Sequence, residues 1–211
     1  MPRRDTRELI LETSLALFNQ HGEGNVTTNL IADEAEISPG NLYYHFRHKQ
    51  DIVLALFYRF AESLAPLVEV STESGIDAES LWFRLHVIFE VKGRYRFIYR
   101  NIADISERMP DVGIALRGML MREKNAVSAL LAGLVANGAM LADDKQQTML
   151  IDQITLTLTY WIPFADEFDP EGARDGSAQV GAIARVFLLA LPYLRQPWRG
   201  EAERLAEAYL E

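Results

Sequence analysis

The sequence predicts an all-α protein in which a fourth helix joins a three-helix N-terminal head to a larger helical body. Apolar residues recur at spacings of three and four along most of the 211 residues, and the period-two alternation of half-buried strands is almost absent. Hydrophobic residues make up 49% of the chain and charged residues 24%, which is typical of domains that bury a core. We expect the head to span residues 1–50 and the body to span residues 51–211.

Composition also excludes several kinds of site. The chain has no cysteine for disulfides or thiolate metal ligands, and its four histidines leave little for an imidazole cluster, so we expect no metal and no cofactor. The longest unbroken apolar run, Val186–Leu191, is far shorter than the ~20 residues of a membrane span. The basic start lacks the apolar core of a signal peptide. We therefore expect a cytoplasmic protein that does not enter a membrane.

The head begins with a helix that carries Leu11 and Phe18 on one apolar face. The letters HGEG follow, and they favour an end to this helix with Gly22 as a left-handed cap. Thr27 or Thr28 can then cap a short second helix, because a threonine hydroxyl accepts a hydrogen bond from a free backbone N–H of the first turn. The pattern predicts two successive helices separated by a short loop.

The second and third helices are predicted to pack crosswise on each other. The second helix buries Ile31 and Ala35. The third begins after Ser38, a good N-cap, and Pro39 fits its first helical position because no N–H is needed there. Gly40 keeps the start of this helix slim enough to approach another surface closely. Two short helices joined by a tight turn in this way predict a helix-turn-helix.

The segment TTNLIADEAEISPGNLYYHFRHKQDIVLALF resembles the DNA-binding segment of TetR-family repressors, whose usual pattern is IA..AGVS.G.LY.HF..K..L. The similarity covers about Leu9 to Phe57, and it implies a DNA-binding head and a small-molecule pocket in the body. One position departs from the pattern, since Glu36 stands where the family usually has the glycine of the turn. A non-glycine residue with positive φ costs ~1 kcal/mol, so we expect Glu36 either to strain this turn or to alter the angle between the two helices slightly.

The third helix is predicted to present a DNA-reading surface while Leu42 and Phe46 hold it on the core beneath. Asn41 has the donor and acceptor needed to pair with an adenine edge. Lys49 lies in the first turn of the fourth helix, where a cation opposes the helix dipole unless an anion is bound there. A DNA phosphate would satisfy both this lysine and the helix N-terminus.

The resemblance assigns roles to individual positions of the head. It implies that phosphates are contacted by Thr28, Tyr44 and Lys49. It implies that bases are approached by Pro39, Gly40, Asn41, Tyr43 and His45. Arg3 and Arg4 can extend the contact as a basic N-terminal arm. Plainer interpretations stay open, in which Tyr43 packs within the head and His45 is an ordinary surface histidine.

The body is expected to contain five or six further helices. Its segment DAESLWFRLHVIFEVK is apolar on nearly every side, which predicts a central buried helix with Trp82, His86 and Phe89 on one face. His86 is either a ligand contact or a hydrogen-bonded core histidine. The basic stretch KGRYRFIYR is either a solvated cluster or a surface that faces the head or an acidic ligand. We expect the effector to be bound by Phe60, Trp82, His86, Phe89, Phe97 and Tyr160.

Two C-terminal helices are predicted to pair with a second copy of the chain. They lie in TMLIDQITLTLTYWI and in SAQVGAIARVFLLAL, where Gly181 and Ala184 stand among large apolar residues and permit close helix packing. A two-fold homodimer would present two reading heads to a palindrome.

These features together predict a ligand-responsive, sequence-specific DNA-binding regulator without catalytic residues. We expect a repressor that a small apolar or aromatic effector releases from a palindromic operator. Two other classes stay open, an all-helical adaptor that binds protein and an all-α enzyme. Sequence-specific DNA binding with a steep salt dependence is expected of the regulator alone.

Overall fold

The computed structural model describes residues 5–69 and 76–207, which form twelve α-helices and one isolated β-bridge between Met140 and Leu194. Four helices precede the gap, namely α1 (Thr6–His21), α2 (Thr28–Glu34), α3 (Pro39–His45) and α4 (Lys49–Val68). The others are α5 (Ala78–Arg94), α6 (Arg96–Arg100), α7 (Ile102–Arg108), α8 (Pro110–Ala136), α9 (Asp144–Phe168), α10 (Pro170–Asp175), α11 (Ser177–Ala190) and α12 (Trp198–Glu207). The prediction of an all-α fold is confirmed.

The end of α1 and the starts of α2 and α3 lie where the local sequence predicts them. Gly22 follows α1 with a φ of 79°, and its N–H donates to the carbonyl of Phe18 at 3.0 Å. The side-chain oxygens of Thr27 and Ser38 each accept a hydrogen bond at 3.2 Å from the N–H three residues on. Pro39 occupies the first turn of α3. These caps satisfy donors and acceptors that the helix ends leave free.

The turn between α2 and α3 contains the strain that the sequence predicts. Glu36 has a φ of 53°, and it is the one non-glycine residue with positive φ in the described parts of the chain. The next N–H, that of Ile37, donates to the carbonyl of Ala32 at 3.0 Å and closes the turn. On either side, Ile31 and Ala35 are buried as predicted. Core packing therefore holds Glu36 in a conformation that glycine adopts more readily.

The helices group into two compact units. The first comprises the described residues up to Ser63 together with Tyr95–Leu116, and the second comprises Leu64–Arg94 together with the described residues from Arg117 onwards. Helices α6 and α7 therefore belong to the same unit as the helix-turn-helix. The expected division at residue 50 is a division along the sequence, whereas this unit combines two separate segments of the chain. Helices α4 and α8 each contribute residues to both units.

Aromatic side chains from distant segments form the core of the first unit. Phe18 of α1 meets Phe97 of α6 with ring centroids 5.3 Å apart. Phe60 of α4 is fully buried, and its ring lies 5.5 Å from that of Tyr95 and 5.7 Å from that of Tyr99. Such tilted and edge-on pairs add to the free energy gained by burial alone.

Eight α-helices follow α4 in the described part of the chain, so the expected five or six was wrong. The additional helices are short: α6, α7 and α10 span between five and seven residues. Helices of that length show little periodicity in the sequence. In addition, α6 and α7 are separated by a single residue, Asn101, whose backbone is not helical (φ −130°, ψ 34°).

Helix α5 forms much of the core of the second unit. Trp82 and Phe89 are buried, and the Trp82 ring meets that of Phe187 in α11 edge-on at 5.0 Å. Phe83, by contrast, is 70% exposed, so the prediction that α5 is buried on nearly every side was wrong for this face. None of the helices within the described ranges has the length and apolar character to cross a bilayer.

Candidate DNA-binding surface and effector cavities

Helix α3 presents a polar face to solvent above a buried apolar one. Leu42 is fully buried and Phe46 nearly so, whereas Asn41 is exposed and Tyr44 is 84% exposed. The exposed face also includes Pro39 and Gly40 at the start of the helix. A Cβ added to Gly40 would meet nothing closer than the Ser38 hydroxyl at 4.0 Å, so packing within the head does not require glycine there.

Thr28 and Tyr43 contact each other across the helix-turn-helix. The Thr28 hydroxyl lies 3.0 Å from the Tyr43 hydroxyl, which links the first turn of α2 to the second turn of α3. Tyr43 is 46% exposed, so it packs within the head and faces solvent at the same time. The half-buried His45 meets the Tyr44 ring edge-on at 5.1 Å. These side chains therefore form two pairs in the helix-turn-helix, Thr28 with Tyr43 and Tyr44 with His45.

Lys49 is engaged by the protein itself. Its Nζ lies 2.9 Å from a carboxylate oxygen of Glu23 and donates to the backbone carbonyls of Glu23 at 2.8 Å and Val26 at 3.0 Å. A buried carboxylate of the chain therefore supplies an anion for Lys49, and the contact of Lys49 with a DNA phosphate stays a prediction. The Lys49 side chain keeps 21% of its surface exposed.

Glu23 binds a second cation that the sequence does not reveal. It is 1% exposed, and its other carboxylate oxygen accepts from the Arg108 guanidinium at the end of α7. Arg108 also pairs with Asp104 at 2.6 Å, and the hydrogen bonds that it donates to Asp104 and, to a smaller extent, to Glu23 raise the pKa of Arg108. No local pattern marks Glu23, since Arg108 is 85 residues away in the chain. The predicted arm residues Arg3 and Arg4 lie outside the described residues.

The six predicted effector residues lie apart from the apolar cavities described below. Phe60 and Phe97 are packed in the aromatic core of the first unit. In the second unit, Phe89 is buried, and the ring of Trp82 lies 5.5 Å from that of His86. Burial lowers the pKa of His86, which favours the neutral imidazole. Tyr160 is 50% exposed on α9 and borders a shallow hollow with Lys124, Asp152 and Leu156.

Two apolar cavities lie side by side in the second unit. The first has a volume of about 560 Å³ including its mouth, and its walls include Ile76, Arg84, Ile88, Glu123 and Ala126. The second has a volume of about 530 Å³, and its walls include Leu131, Leu134, Ile154, Phe187 and Trp198. Both are also lined by Leu81, Leu85, Val127, Leu130 and Leu158. The two cavities therefore share a wall.

A buried ion pair stands beside the first cavity. Lys92, which the sequence grouped with a solvated basic cluster, is fully buried. Its Nζ lies 2.8 Å from Oε2 of Glu123 and donates to the carbonyl of Leu158 at 2.9 Å, so it joins α5 to α8 and α9. Sequence reasoning missed both charged residues, because partners separated by 31 positions leave no local signal.

Comparison with known proteins places both parts of the chain in one family. The family described as "Bacterial regulatory proteins, tetR family" matches residues 10–56, and that described as "Bacterial transcriptional repressor" (TetR) matches residues 59–201. The "Probable acrEF/envCD operon repressor" of Escherichia coli K12 is 33% identical over 72 residues, which are 34% of this chain and 32% of that protein. The chain thus aligns with about a third of that relative's length.

Solved structures resemble the chain over nearly its full length. A TetR-family transcriptional regulator from Marinobacter aquaeolei VT8 has a TM-score of 0.87 at 30% identity, over 97% of this chain and 98% of the other. CprB from Streptomyces coelicolor, in complex with its biological operator sequence, has a TM-score of 0.70 at 17% identity, over 96% and 95%. At 17% identity, the resemblance to CprB shows a common fold. Because the two family matches together extend from residue 10 to residue 201, this chain belongs to the TetR family of DNA-binding bacterial transcriptional regulators.

Proposed function

We propose that this chain acts in the cytoplasm as a homodimeric repressor that reads a palindromic operator with α3 and is released by an apolar effector. The exposed face of α3 carries the proposal: small, amide and aromatic side chains stand above a buried Leu42 on a helix-turn-helix scaffold. A helix of this kind fits the major groove, where base edges differ in donors, acceptors and methyl groups. The operator complex of CprB, a protein of the same fold, supports this mode of binding.

The polar face divides into residues that read bases and residues that hold the backbone. Asn41 is placed to bond an adenine edge, while Pro39, Gly40, Tyr43 and His45 approach the bases. Phosphates are held by Thr28, Tyr44 and Lys49, with Arg3 and Arg4 as an additional arm. The attraction between Lys49 and a phosphate is weaker than that of an unpaired lysine, because the Glu23 carboxylate already neutralises part of the lysine charge.

Dimer formation is supported by an apolar stripe along α9. The stripe consists of Met149, Leu156, Tyr160, Phe164 and Phe168, each about half exposed or more. Their spacing of seven and then four residues keeps them on one side of a helix. An exposed apolar stripe of this length is typical of a surface that a partner covers. Of the two small residues expected at the interface, Ala184 is fully buried within its own chain, so the stripe is the better candidate.

Repression and release would be coupled through helices that both units share. An effector that fills the apolar cavities would favour one arrangement of the second unit, and α4 carries Lys49 at one end and Leu67 and Val68, which line the first cavity, at the other. Effector and operator would then weaken each other's binding by the same factor, typically ~1–3 kcal/mol.

Sequence-specific binding tests the proposal directly. Duplexes selected from a random library, and the chain's own promoter region, are titrated by fluorescence anisotropy at several salt concentrations. We expect Asn41→Ala to weaken operator binding by ~1–3 kcal/mol and to leave random DNA unaffected. Lys49→Ala should weaken both alike and reduce the salt slope. Equal affinity for operator and random DNA in the unaltered chain would favour the adaptor class instead.

Dimer formation is tested by sedimentation. Phe164→Glu, in the stripe, should convert a dimer to a monomer at micromolar concentration, because a buried unpaired carboxylate opposes association. Phe83→Glu, which places the same charge on an exposed aromatic position of α5, is the matched control and should leave the dimer intact. A monomer in the unaltered chain contradicts this part of the proposal.

A further inference from the structure

We propose that Glu123 forms the recognition end of the effector site and selects a neutral, largely apolar molecule that carries one hydrogen-bond donor, a hydroxyl or an amide N–H. The inference rests on the proposed role of the second unit as an effector-binding body. It goes beyond that role by naming the atom that recognises the effector and the chemical class that the atom selects.

Glu123 is a buried carboxylate that is only half satisfied. The side chain is 3% exposed, and its Oε2 accepts from Lys92 at 2.8 Å. Its Oε1 is buried as well and has no hydrogen-bond partner among the described residues. Buried polar atoms in native proteins are nearly always bonded, so an orphaned carboxylate oxygen calls for a partner that arrives from outside the chain.

The orphaned oxygen belongs to a residue of the cavity wall. Glu123 lines the first cavity, and most of its neighbours there are aliphatic, including Leu85, Ile88 and Val127. The other charged residues in that lining are Glu69 on α4's C-terminal side and Arg84 on α5. A ligand inside the cavity therefore meets a mostly apolar wall to which the buried Glu123 carboxylate belongs.

Charge around the pair decides which donor fits. Lys92 and Glu123 together are neutral, and the pair is already out of water. An ammonium placed on Oε1 would be attracted by the carboxylate but repelled by the nearby Lys92 ammonium, and it would lose its own hydration. A carboxylate would be repelled by Glu123 directly. A neutral hydroxyl or amide N–H meets neither penalty and supplies the missing hydrogen bond.

The shape of the site selects an elongated apolar body. The second cavity shares a wall with the first and is lined by aliphatic and aromatic residues, among them Ile154, Phe187 and Trp198. Only the first cavity reaches Glu123. A ligand that occupies both would place its donor at Glu123 and extend an aliphatic or aromatic chain away from it.

A matched series of probes on one skeleton tests the assignment. Decanol, decyl methyl ether, decylammonium and decanoate are titrated into the full chain by calorimetry in the absence of DNA. We expect decanol to bind at least tenfold more tightly than the ether, which accepts but cannot donate, and than either charged analogue. Stronger binding of decylammonium or decanoate, or no binding by any of the four, overturns the proposal.

Glu123→Gln supplies the decisive variant. Its amide oxygen must face the Lys92 ammonium, which leaves the NH₂ group toward the cavity in place of an acceptor. The tenfold preference for decanol over the ether should then fall to about one. An unchanged preference in a variant that still folds, as judged by its thermal melt, overturns the role of Glu123. The doubly substituted chain, Lys92→Met with Glu123→Leu, should lose the preference in the same way without leaving a buried charge.

Leu130→Trp is the matched control, because Leu130 lines both cavities and does not belong to the ion pair. It should weaken every probe by a similar factor and preserve their order. Operator release is then measured separately with decanol. Selective binding that leaves operator affinity unchanged supports the site and contradicts the effector role in the proposed function, so the two failures are distinguishable.

Discussion

The two units each bury a glutamate, and the two glutamates differ in how completely they are bonded. In the first unit both carboxylate oxygens of Glu23 hold a cation, Lys49 on one and Arg108 on the other. In the second unit Glu123 holds Lys92 on one oxygen and leaves the other without a partner beside a cavity. A complete network fixes helices in place, whereas an incomplete one keeps an acceptor available for a ligand.

Breaking the complete network should have the largest effect on stability. Glu23→Gln removes the charge that Lys49 and Arg108 share, and we expect the free energy of unfolding to fall by about 3–5 kcal/mol. Urea titration followed by circular dichroism measures this loss. Asp104→Asn, which removes the exposed second partner of Arg108, is the matched control and should change stability little. Equal losses in the two variants would show that Glu23 is not the centre of the network.

The ion pair of Lys92 and Glu123 should be replaceable by two apolar residues when both are changed together. Lys92→Met or Glu123→Leu alone leaves one uncompensated buried charge, so each should lower the free energy of unfolding by about 3–5 kcal/mol. The double substitution leaves none, and it should be neutral or stabilising by up to about 4 kcal/mol. The coupling between the two substitutions in this double-mutant cycle is the quantity to measure. Additive losses would mean that the pair is not isolated in an apolar surrounding.

The first unit also contains one strained backbone conformation, that of Glu36 in the turn between α2 and α3. Glu36→Gly allows the turn residue to adopt its φ of 53° without strain, and we expect stability to rise by ~1 kcal/mol. Glu12→Gly, the same change at an exposed position in the interior of α1, should instead lower stability by ~1 kcal/mol, because glycine weakens a helix interior. A loss at both positions would show that Glu36 is not strained.

The smallest expected effect concerns pH in the second unit. Burial lowers the pKa of His86 below its ordinary value of 6.5, so in the window just below 6.5 the unfolded chain binds more protons than the folded one. Stability contributed by neutral His86 is therefore present above that window and is lost as pH falls through it. His86→Gln should flatten this part of the stability curve relative to the unaltered chain in parallel urea titrations. If the pH dependence of stability is unchanged in this variant, a group other than His86 takes up the proton.

Local signals explain why the helix-turn-helix was predictable. Gly22, Thr27, Ser38 and Pro39 each act on neighbours within four residues, so the sequence alone predicts where α1, α2 and α3 begin or end. The strain at Glu36 was equally visible, because the turn requires a positive φ whichever residue occupies it.

Long-range pairing explains what the sequence did not reveal. Four cations stand close together in KGRYRFIYR, and nothing in that stretch tells that Lys92 alone would meet Glu123 and the carbonyl of Leu158. Lys49 was likewise assigned to a phosphate because Glu23 is 26 positions away. Helical periodicity indicates which faces are apolar, but it does not show where facing side chains fail to fill the space. The cavity walls were therefore missed.

The hydrogen bond between Thr28 and Tyr43 has a consequence for the entropy of association. A tyrosine side chain on a surface normally samples several rotamers. A partner that fixes the side chain in one rotamer must offset the lost conformational entropy with favourable contacts. Here the Thr28 hydroxyl, 3.0 Å from the Tyr43 hydroxyl, restricts the ring in the unbound protein. Any partner that meets this face finds the ring already ordered, so the loss of rotamer freedom belongs to folding and not to binding.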